Sequence, residues 1–484
     1  MDTRLGCSPQ AKSRSDDGGI VRTRRKLSTF LRVPGSDRTR DYLGAGLGRA
    51  AGWLARMSHW GSGSSLPGMI AEAVSPGFIR RRARLYAGVA LVSGTNGKTT
   101  TSSMLRAILD GAGTSTVGNE SGANLRQGIA TSLLRVPVAT ALAVLEVDEA
   151  TLTNVTPELE PRVLVLTNVF RDQMDRFGEV ERVIELLERS CDLLPEDATI
   201  LANVDDPLLW PALEHRDPVG FGIRLLQAPA SVPSMRVETE VCSRCGEPLV
   251  YTSRTFAHLG VAGCSGCSWR SAEPTYVGTI TERGGLRLVT LEVAGERLTL
   301  PTGGVHNAYN AIAAIAAADQ LGVSMSQAVQ TLRSFQPRFG RAEQVQVGGR
   351  SVWLALMKNP GAAHVLIDEI ADDPRVGSVV VSVNDAAADG HDISWIWDVD
   401  FERLVRAGLP LVPSGKRVGD VAVRLKYTGG SVEPQHPDPL DAITAALAVC
   451  PSDRSPVVLA TYTAMLSVRK AFGGQVASLA DAPV

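Results

Sequence analysis

Over the middle of the chain, short apolar runs alternate with segments whose apolar residues have helical spacing. The runs at 89–92, 139–147, 162–168 and 198–203 have the length of buried strands, whereas Ser102–Leu109 has the spacing of a helix. Strands that alternate with helices in this way predict a parallel, doubly wound α/β sheet. The binding site of such a sheet lies at the carboxyl ends of its strands, so the residues that follow each run are candidates for function.

The pattern changes near residue 226. Three short alternating segments, at 276–281, 286–293 and 296–300, predict antiparallel strands, and the alanine-rich segment Ala311–Leu321 predicts a helix after them. Beyond this helix, strand and helix patterns alternate again. This return indicates a second, smaller α/β domain.

These changes divide the chain into parts. Residues 1–40 are basic and polar and predict a disordered tail, with contact to anionic lipid or nucleic acid as the alternative. A helix predicted at 43–60 is a packing or interfacial helix, since two arginines interrupt its apolar residues. We expect a central domain at 41–336, interrupted by an insertion at 227–275, and a C-terminal domain at 337–484.

Composition limits the function. The chain has 484 residues, and its 49 basic and 51 acidic residues give a formal charge of −2, so we expect no nucleic-acid partner. A hydrophobic content of 44% with 5% aromatic residues suits an α/β protein. There is no long uncharged apolar run and no apolar signal core at the N-terminus, which predicts a cytoplasmic protein.

The first candidate site is a glycine-rich turn after the run at 89–92. Its sequence is Gly94-Thr-Asn-Gly-Lys-Thr99, with the glycines closer together than in the general P-loop pattern. Backbone N–H groups at such a turn face a phosphate, and the helix N-terminus after it favours negative charge. Lys98 would contact the outer phosphates, and the Thr99 hydroxyl would bind magnesium. A glycine-rich turn without a nucleotide is the alternative, but the Lys-Thr pair favours nucleotide binding.

Acidic residues follow the apolar run at 139–147, in the segment Glu146-Val-Asp-Glu149. Carboxylates at the carboxyl end of a strand beside a P-loop are placed to bind magnesium or its waters. A solvated turn is the alternative. The position directly after an apolar strand favours the metal.

Four of the seven cysteines form two Cys-x-x-Cys pairs within the insertion. Eighteen residues separate Cys242 and Cys245 from Cys264 and Cys267, which is typical of a four-thiolate zinc ribbon. Four thiolates around a tetrahedral Zn²⁺ leave no position for a water, so we predict a structural ion. Unliganded buried cysteines are the alternative.

A cluster of aspartates follows a buried strand expected at 378–383. Asp385, Asp389, Asp392 and Asp398 lie in one loop and in the start of a helix expected around Trp395–Trp397. Some of these aspartates can be simple helix caps, a position where aspartate is favoured.

Together these motifs resemble the landmarks of the Mur ligase superfamily, in order and over nearly all of residues 61–472. The matching segments are Gly94–Thr99, Glu146, Asn168–Asp175, Asn203–Pro207, His306–Asn310 and Gly340–Glu343. The resemblance implies a Mur-ligase-like fold. It also implies that ATP phosphorylates a carboxylate, and that an amine then displaces the phosphate to give an amide.

Three departures make the chain more similar to the MurT-type synthetase subunits of lipid II isoglutaminyl synthase. A UDP-sugar-binding domain before the P-loop is not expected, four cysteines interrupt the central domain, and the C-terminal domain carries the segment Ala388–Asp398. The resemblance implies amidation of the D-glutamate α-carboxyl of lipid II at the inner face of the plasma membrane. The ammonia would come from a GatD-type class I glutamine amidotransferase subunit, bound in a heterodimer.

The resemblance also assigns residues to the reaction. Lys98 and Glu146 would be catalytic, and Thr99 and Glu146 would hold Mg²⁺. Gln173 stands where many Mur ligases have a metal-binding histidine, which puts a second magnesium site in doubt. The ATP contacts would be Gly94, Thr95, Asn96, Gly97, Lys98, Thr99, Thr100, Asn307 and Arg341.

By the same resemblance, the glutaminase partner borrows a carboxylate from this chain. Class I glutaminases use a cysteine nucleophile and a histidine base that an acidic residue orients. Asp392 is the first candidate and Asp389 the second, with Trp395 and Trp397 as contact residues. A helix cap is the alternative for Asp392.

Two other functions stay open at this point. An amino-acid-adding ligase of the Mur or folylpolyglutamate synthetase type should carry a site for its incoming amino acid and need no glutaminase. A nucleotide-gated scaffold would bind ATP but release no phosphate with any acceptor.

Overall fold

The computed structural model describes most of the chain. The described residues are 37–57, 65–119, 123–135, 140–171, 180–226, 239–335, 343–386, 388–430 and 432–471. Nearly all of the predicted tail at 1–40 lies outside these ranges, as do Gln173 and Arg341.

Among the described residues, three helices precede the first strand. They are α1 (Asp37–Met57), α2 (Leu66–Val74) and α3 (Phe78–Ala83). The first begins six residues before the predicted start at Leu43. Asp41 fixes this early turn, because its carboxylate accepts a hydrogen bond from Arg81 Nε at 2.7 Å and another from the Ser75 hydroxyl.

The central domain contains one large sheet and one hairpin. Its strands are β1 (Gly88–Ser93), β2 (Thr116–Val117), β3 (Leu142–Glu146), β4 (Val163–Leu166), β5 (Thr199–Asn203), β6 (Val219–Leu225), β7 (Leu249–Phe256), β8 (Leu259–Cys264), β9 (Tyr276–Arg283), β10 (Val289–Val293) and β11 (Glu296–Leu300). Its helices are α4 (Lys98–Gly111), α5 (Arg126–Ser132), α6 (Glu149–Leu159), α7 (Val180–Cys191), α8 (Leu209–Leu213), α9 (Val305–Gln320) and α10 (Met325–Leu332).

The large sheet has nine strands in the order β11-β10-β9-β6-β5-β4-β1-β3-β2. Neighbours from β2 to β9 are parallel, and β10 and β11 add an antiparallel edge. The predicted parallel sheet and the antiparallel strands after it are confirmed. Helices cover both faces, which is why the parallel strands are continuous apolar runs.

Two hydrophobic cores lie on opposite faces of this sheet. Along β1, Ala90 and Val92 belong to one core and Val89 and Leu91 to the other, as the two-residue period of a strand requires. Helices α4 and α9 cover the first face. Because α9 starts at Val305 rather than at the predicted Ala311, the polar residues before the alanine-rich segment are part of the helix.

The insertion forms an antiparallel hairpin of β7 and β8. Its cysteines lie away from the turn of the hairpin. The turn itself enters the central domain, where Phe256, Ala257 and Leu259 belong to the first core. The insertion is therefore anchored in the domain that it interrupts.

The C-terminal domain is a smaller α/β unit. Its elements are β12 (Glu343–Val347), β13 (Arg350–Leu356), α11 (Pro360–Ala371), β14 (Val376–Ser382), α12 (Glu402–Arg406), β15 (Leu411–Ser414), α13 (Val418–Lys426), α14 (Pro439–Val449), β16 (Ser455–Ala460) and α15 (Tyr462–Ala471). The five strands have the order β12-β13-β16-β14-β15, and all neighbours except β12 and β13 are parallel. The helix expected around Trp395 is instead a short 3₁₀ turn at Ser394–Asp398.

The two domains contact each other through the turn between β9 and β10. Leu286 leaves the central sheet and packs in the core of the C-terminal domain. Arg375 Nη2 donates to the Gly284 carbonyl at 2.9 Å, and the Arg287 guanidinium lies 5.4 Å from the centre of the Trp353 ring. The strand that was predicted to start at Leu286 instead starts at Val289, because the preceding residues form the turn that contacts the C-terminal domain.

Candidate active site

A cleft of about 390 Å³ lies between the carboxyl ends of the central strands and the C-terminal domain. This is the position expected for the site of a doubly wound sheet. The predicted site residues that line it are Thr95, Asn96, Gly97, Lys98, Thr99, Thr100, Glu146, Asn307 and Asp389.

The P-loop turn lies between β1 and α4 and packs against α9. Gly97 has φ of 87°, and a Cβ there would lie 2.1 Å from Asn310 Oδ1. Only glycine fits both the conformation and the space. Thr101 Oγ1 donates to the same amide oxygen at 3.3 Å, so α9 fixes the turn from outside the P-loop.

Lys98 is buried at the N-terminus of α4. Its Nζ lies 2.5 Å from the Gly94 carbonyl oxygen, 3.2 Å from that of Thr95 and 3.2 Å from Glu149 Oε2. A buried ammonium is costly unless it is paired, and these acceptors hold its charge at the floor of the cleft. Glu149, which the sequence grouped with Glu146, is thus the ion-pair partner of the lysine.

Glu146 is the last residue of β3, and it pairs with Val92 of β1. Asn119 holds its backbone on both sides, at 2.8 Å to the N–H and 2.7 Å to the carbonyl. Asn124 Nδ2 donates to the carboxylate at 3.3 Å. A buried carboxylate in a rigid backbone beside the P-loop suits a divalent cation.

The central-domain side of the cleft is its first wall, and the side formed by the C-terminal domain is its second wall. Two asparagines on α9 belong to the first wall. Asn307 Nδ2 donates to the Gly303 carbonyl at 2.6 Å and to Thr302 Oγ1 at 3.1 Å. Asn310, one helical turn later, donates to Asn307 Oδ1 at 3.3 Å and also reaches the P-loop. These two asparagines therefore connect the Gly303 segment to the P-loop turn.

One hydroxyl on this wall has no partner within the described part of the chain. Thr100 Oγ1 is buried, lines the cleft and makes no hydrogen bond among the residues that the structure describes. Buried polar atoms are normally bonded, so an unbonded one at a P-loop helix is consistent with a bound ligand.

The C-terminal domain closes the cleft from the other side. Lys358, two residues after the end of β13, donates from Nζ to the Thr95 carbonyl at 2.9 Å. Asn359 Nδ2 donates to Asn96 Oδ1 at 3.1 Å, while its own Oδ1 caps α11 by accepting from the Ala362 N–H at 2.8 Å. Both domains therefore hold the same turn.

Glu369 of α11 is a buried carboxyl group on this second wall. Burial raises the pKa of Glu369 to about 7, against the lowering effect of the Arg283 charge and of the Val305 N–H. Glu369 therefore keeps a proton up to near-neutral pH. As an acid that can donate a hydrogen bond, it faces the start of α9 across the cleft.

Phe170 is the point where three parts of the molecule meet. Its N–H donates to Thr95 Oγ1 at 3.1 Å, and its ring stacks on Phe256 at 5.9 Å and meets the edge of His258 at 4.6 Å. A Cβ on Gly361 of α11 would lie 2.4 Å from this ring. The P-loop, the insertion and the C-terminal domain thus contact one side chain.

Buried polar groups anchor the hairpin turn. Tyr309 of α9 bonds to the Thr255 hydroxyl at 2.6 Å and donates to Asp205 at 2.8 Å. Burial raises the pKa of Asp205. His258 Nε2 lies 3.4 Å from Asp206, which is equally buried. The segment Asn203–Pro207 therefore contacts and stabilises the insertion in this structure.

The four cysteines of the insertion converge. Their sulfur atoms all lie within 4.8 Å of one another, with Cys242 Sγ 3.9 Å from Cys267 Sγ and Cys245 Sγ 3.3 Å from Cys264 Sγ. Sulfurs at about 2.3 Å from a tetrahedral zinc are roughly 3.8 Å apart. The Gly266 and Cys267 N–H groups lie 3.3 Å from Cys264 Sγ, as in a metal knuckle. The donor set fits Zn²⁺.

The two candidate aspartates of the acidic loop have different surroundings. Asp389 lines the cleft and caps α15, because its carboxylate accepts from the Thr463 N–H at 2.8 Å and from the Thr463 hydroxyl. Asp392 is exposed outside the cleft. Its Oδ1 accepts from the Ser394 N–H at 2.8 Å, and this hydrogen bond lowers the pKa of Asp392.

Sequence reasoning did not select Lys358, Phe170, Phe256 or Glu369. Lys358 follows an apolar run, so its place at a strand end was a usable signal. The other three are ordinary residues of core-like segments. Only the approach of distant segments gives them a place at the cleft.

The comparisons with known proteins agree with this geometry. Residues 92–224 match the family model of the Mur ligase middle domain, and residues 356–465 match the MurT ligase C-terminal model. A pseudomurein peptide ligase type C from Methanothermus fervidus has a TM-score of 0.63 and 20% identity, over 79% of this chain and 78% of that one.

Two further solved structures share the fold. MurF from Acinetobacter baumannii has a TM-score of 0.61 and 16% identity, over 84% of this chain and 80% of that one. Folylpolyglutamate synthase from Mycobacterium tuberculosis, solved with ADP and AMPPCP, has a TM-score of 0.54 and 15% identity, over 81% of this chain and 92% of that one. Fold and P-loop cleft together define a Mur-ligase-type enzyme.

Curated relatives give the particular family. The MurT subunit of the glutamine-hydrolyzing lipid II isoglutaminyl synthase of Streptococcus pneumoniae is 34% identical over 440 residues, 88% of this chain and 96% of that protein. The subunit of the same name from Staphylococcus aureus is 30% identical over 75% of this chain and 83% of that protein. The chain belongs to the MurT family.

None of the helices in the described ranges has the length and apolar character needed to cross a membrane.

Proposed function

We propose that this chain is the synthetase subunit of a lipid II isoglutaminyl synthase. It uses ATP to convert the α-carboxyl of D-glutamate in the lipid-linked peptidoglycan precursor into an amide. The observation that carries this proposal is the match to a MurT subunit over 96% of its length. The cleft, with its P-loop and its two walls, supports it.

In this proposal the first wall binds ATP. The turn from Gly94 to Thr100 holds the phosphates, with Lys98 against the outer ones, and Asn307 contacts the adenine. Arg341, which lies outside the described residues, is assigned to ATP by the family resemblance. Thr99 and Glu146 would hold Mg²⁺, which would supply positive charge to the phosphates.

The reaction has two steps. A carboxylate oxygen of the substrate attacks the γ-phosphorus, the bond to the β,γ-bridging oxygen breaks, and ADP leaves with its electron pair. Ammonia then attacks the carbonyl carbon of the acyl phosphate, phosphate leaves, and the nitrogen loses a proton. Lys98 stabilises charge in the first step because its ammonium is fixed before the reaction. The closed cleft keeps water away from the acyl phosphate.

We infer that the ammonia comes from a GatD-type glutaminase subunit docked on the C-terminal domain. Asp392 stays the first candidate for the carboxylate that orients the partner's histidine, since it is exposed two residues before the short 3₁₀ turn. Trp397, 46% exposed, meets Tyr427 edge-to-face at 5.5 Å beside it. Aromatic residues of this kind are enriched in interfaces. Asp389 is less suited, because its carboxylate is engaged by α15.

The same proposal covers metal, domains and place of action. One structural Zn²⁺ would bind the cysteines of the insertion. The chain would consist of a central domain at 41–336, with the insertion at 227–275, and a C-terminal domain at 337–484. It would act at the inner face of the plasma membrane, where its substrate lies.

The test is amidation of lipid II by the chain purified together with its glutaminase. Mass spectrometry should show ATP-dependent exchange of one carboxylate for an amide, with glutamine or with added ammonia. A product heavier by a whole amino-acid residue would identify an adding ligase instead. ATP binding without phosphate release would identify a scaffold.

A further inference from the structure

The outward face of α1 is apolar and open to solvent. Tyr42 is 78% exposed, Trp53 56% and Leu47 45%. Spacings of three and four residues place these side chains on one side of the helix. The outward face consists of Tyr42, Leu43, Gly46, Leu47, Ala50 and Trp53, all of them exposed.

The inner side of α1 fixes this orientation. Ala45 is buried there, and a Cβ on Gly48 would lie 2.8 Å from the Pro67 carbonyl oxygen of α2. Asp41 and Arg81 form a partly buried ion pair at 2.7 Å. The helix therefore cannot turn its aromatic residues inward without losing this close contact.

Positive charge is concentrated at the same end of the chain. Helix α1 contains four arginines and two aspartates, and the 36 residues before it contain eight arginines or lysines and three aspartates. The chain as a whole carries a formal charge of −2. One of the aspartates of α1, Asp41, is paired with Arg81, so the charge that remains on α1 is mainly positive.

We propose that the outward face of α1 lies in the headgroup region of an anionic membrane, with the helix axis in the membrane plane. Tyrosine and tryptophan favour that region, leucine enters the acyl boundary, and nearby arginines attract anionic lipid. The helix has 21 residues and lies on the protein by its other side, so it rests on the membrane rather than crossing it. The proposal rests on the proposed function in one respect, because a lipid-linked substrate explains why a membrane is near.

The test is co-sedimentation of the full chain with vesicles that contain no precursor. Vesicles of phosphatidylcholine with phosphatidylglycerol are compared with phosphatidylcholine alone. The double variant Tyr42→Ser/Leu47→Ser should lower the partition coefficient on anionic vesicles about tenfold. Trp53→Ser should lower it as well, and added salt should weaken wild-type binding.

A matched control exists on the C-terminal domain. Tyr427 is 74% exposed and Leu440 39%, close to the values of Tyr42 and Leu47. Tyr427→Ser/Leu440→Ser removes the same chemistry elsewhere and should leave vesicle binding unchanged. Thermal unfolding of each variant shows whether the fold is kept.

Three results would overturn the proposal. The first is equal vesicle binding by wild type and Tyr42→Ser/Leu47→Ser, and the second is equal loss in the control. The third is a wild-type dimer in light scattering that the α1 variant dissociates, since a second copy would then cover the face. Vesicle binding that depends on α1 in a chain with no amidation activity would support this surface and contradict the proposed function.

Discussion

The two walls of the cleft hold their polar groups in different ways. The central-domain wall is built on backbone: Glu146 ends a strand in register with β1, and Lys98 starts a helix behind a tight turn. The C-terminal wall depends on long side chains, with Lys358 reaching across to the Thr95 carbonyl and Glu369 buried on α11. Strand register fixes the first set. The distance between two domains fixes the second.

This difference indicates that the two walls have different roles in the reaction. Glu146 and Lys98 on the first wall are fixed by a strand and a helix of their own domain, so they suit the charge of the transferring phosphate. Groups on the second wall reach the P-loop only when the domains are together, so they suit closure of the site. Substitutions in the first wall should therefore abolish turnover, and those in the second should weaken it.

Lys98→Ala should have the largest effect, a loss of about 10³-fold or more in kcat with either ammonia source. The reason is the loss of a fixed positive charge beside the transferring phosphate. Amidation of lipid II at saturating ATP measures it, and the exposed Lys426→Ala is the matched control. Near-normal turnover in Lys98→Ala would remove the P-loop from the mechanism.

Asp392→Asn should separate the two ammonia sources. We expect glutamine-driven amidation to fall about 10²-fold, because the partner's histidine loses its orienting carboxylate, while ammonia-driven amidation stays unchanged. Asp389→Ala should lower both, since it removes the cap of α15 and costs about 1 kcal/mol of stability. Parallel losses from both sources in Asp392→Asn would show that this aspartate is only a local cap.

A substitution in the four-cysteine cluster tests whether the insertion stabilises the first wall. Cys264→Ser should abolish zinc binding and lower nucleotide affinity about tenfold, because the hairpin turn that contacts Phe170 loses its folded base. Metal analysis, thermal unfolding and a nucleotide titration measure these effects. Cys450→Ser, at another buried cysteine, is the control. Full nucleotide affinity in a zinc-free chain would show that the insertion and the P-loop are independent.

Lys358→Met should lower kcat about fivefold through loss of the contact that brings the second wall to the P-loop. The affinity of the variant for nucleotide should change less than its kcat. Lys416→Met, an exposed lysine of the same domain, should be neutral. A loss as large as that of Lys98→Ala would mean that Lys358 contacts the reacting phosphate and that the division between the walls is wrong.

Glu369→Gln should have the smallest effect on turnover but should change the pH dependence of stability. In the folded chain the pKa of Glu369 is raised to about 7, so the folded state retains a proton that the unfolded state has lost. Stability is therefore full below about pH 4.5 and falls as the pH rises to about 7, by about 3 kcal/mol. Urea unfolding at several pH values should show a flatter profile for Glu369→Gln than for the surface variant Glu185→Gln. An unchanged profile would place the titration elsewhere.

The sequence by itself determined the fold class and the first wall. Strand periods of two and helix periods near four are local, so the runs at 89–92 and 162–168 could be assigned without any neighbour. The P-loop lies within six residues of chain, from Gly94 to Thr99, and needs only its own strand and helix. The four cysteines have the sequence spacing of metal ligands, and the structure brings their sulfur atoms together.

Only the tertiary structure decided the second wall and the role of the insertion. Phe170 and Phe256 are 86 positions apart and have no polar chemistry, so nothing local marks them as neighbours at a site. Asp389 and Asp392 lie three positions apart in one loop, yet one caps a helix in the cleft and the other faces solvent. Spacing along a chain specifies local geometry, whereas the solvent exposure and partners of a side chain depend on which distant segments pack against it.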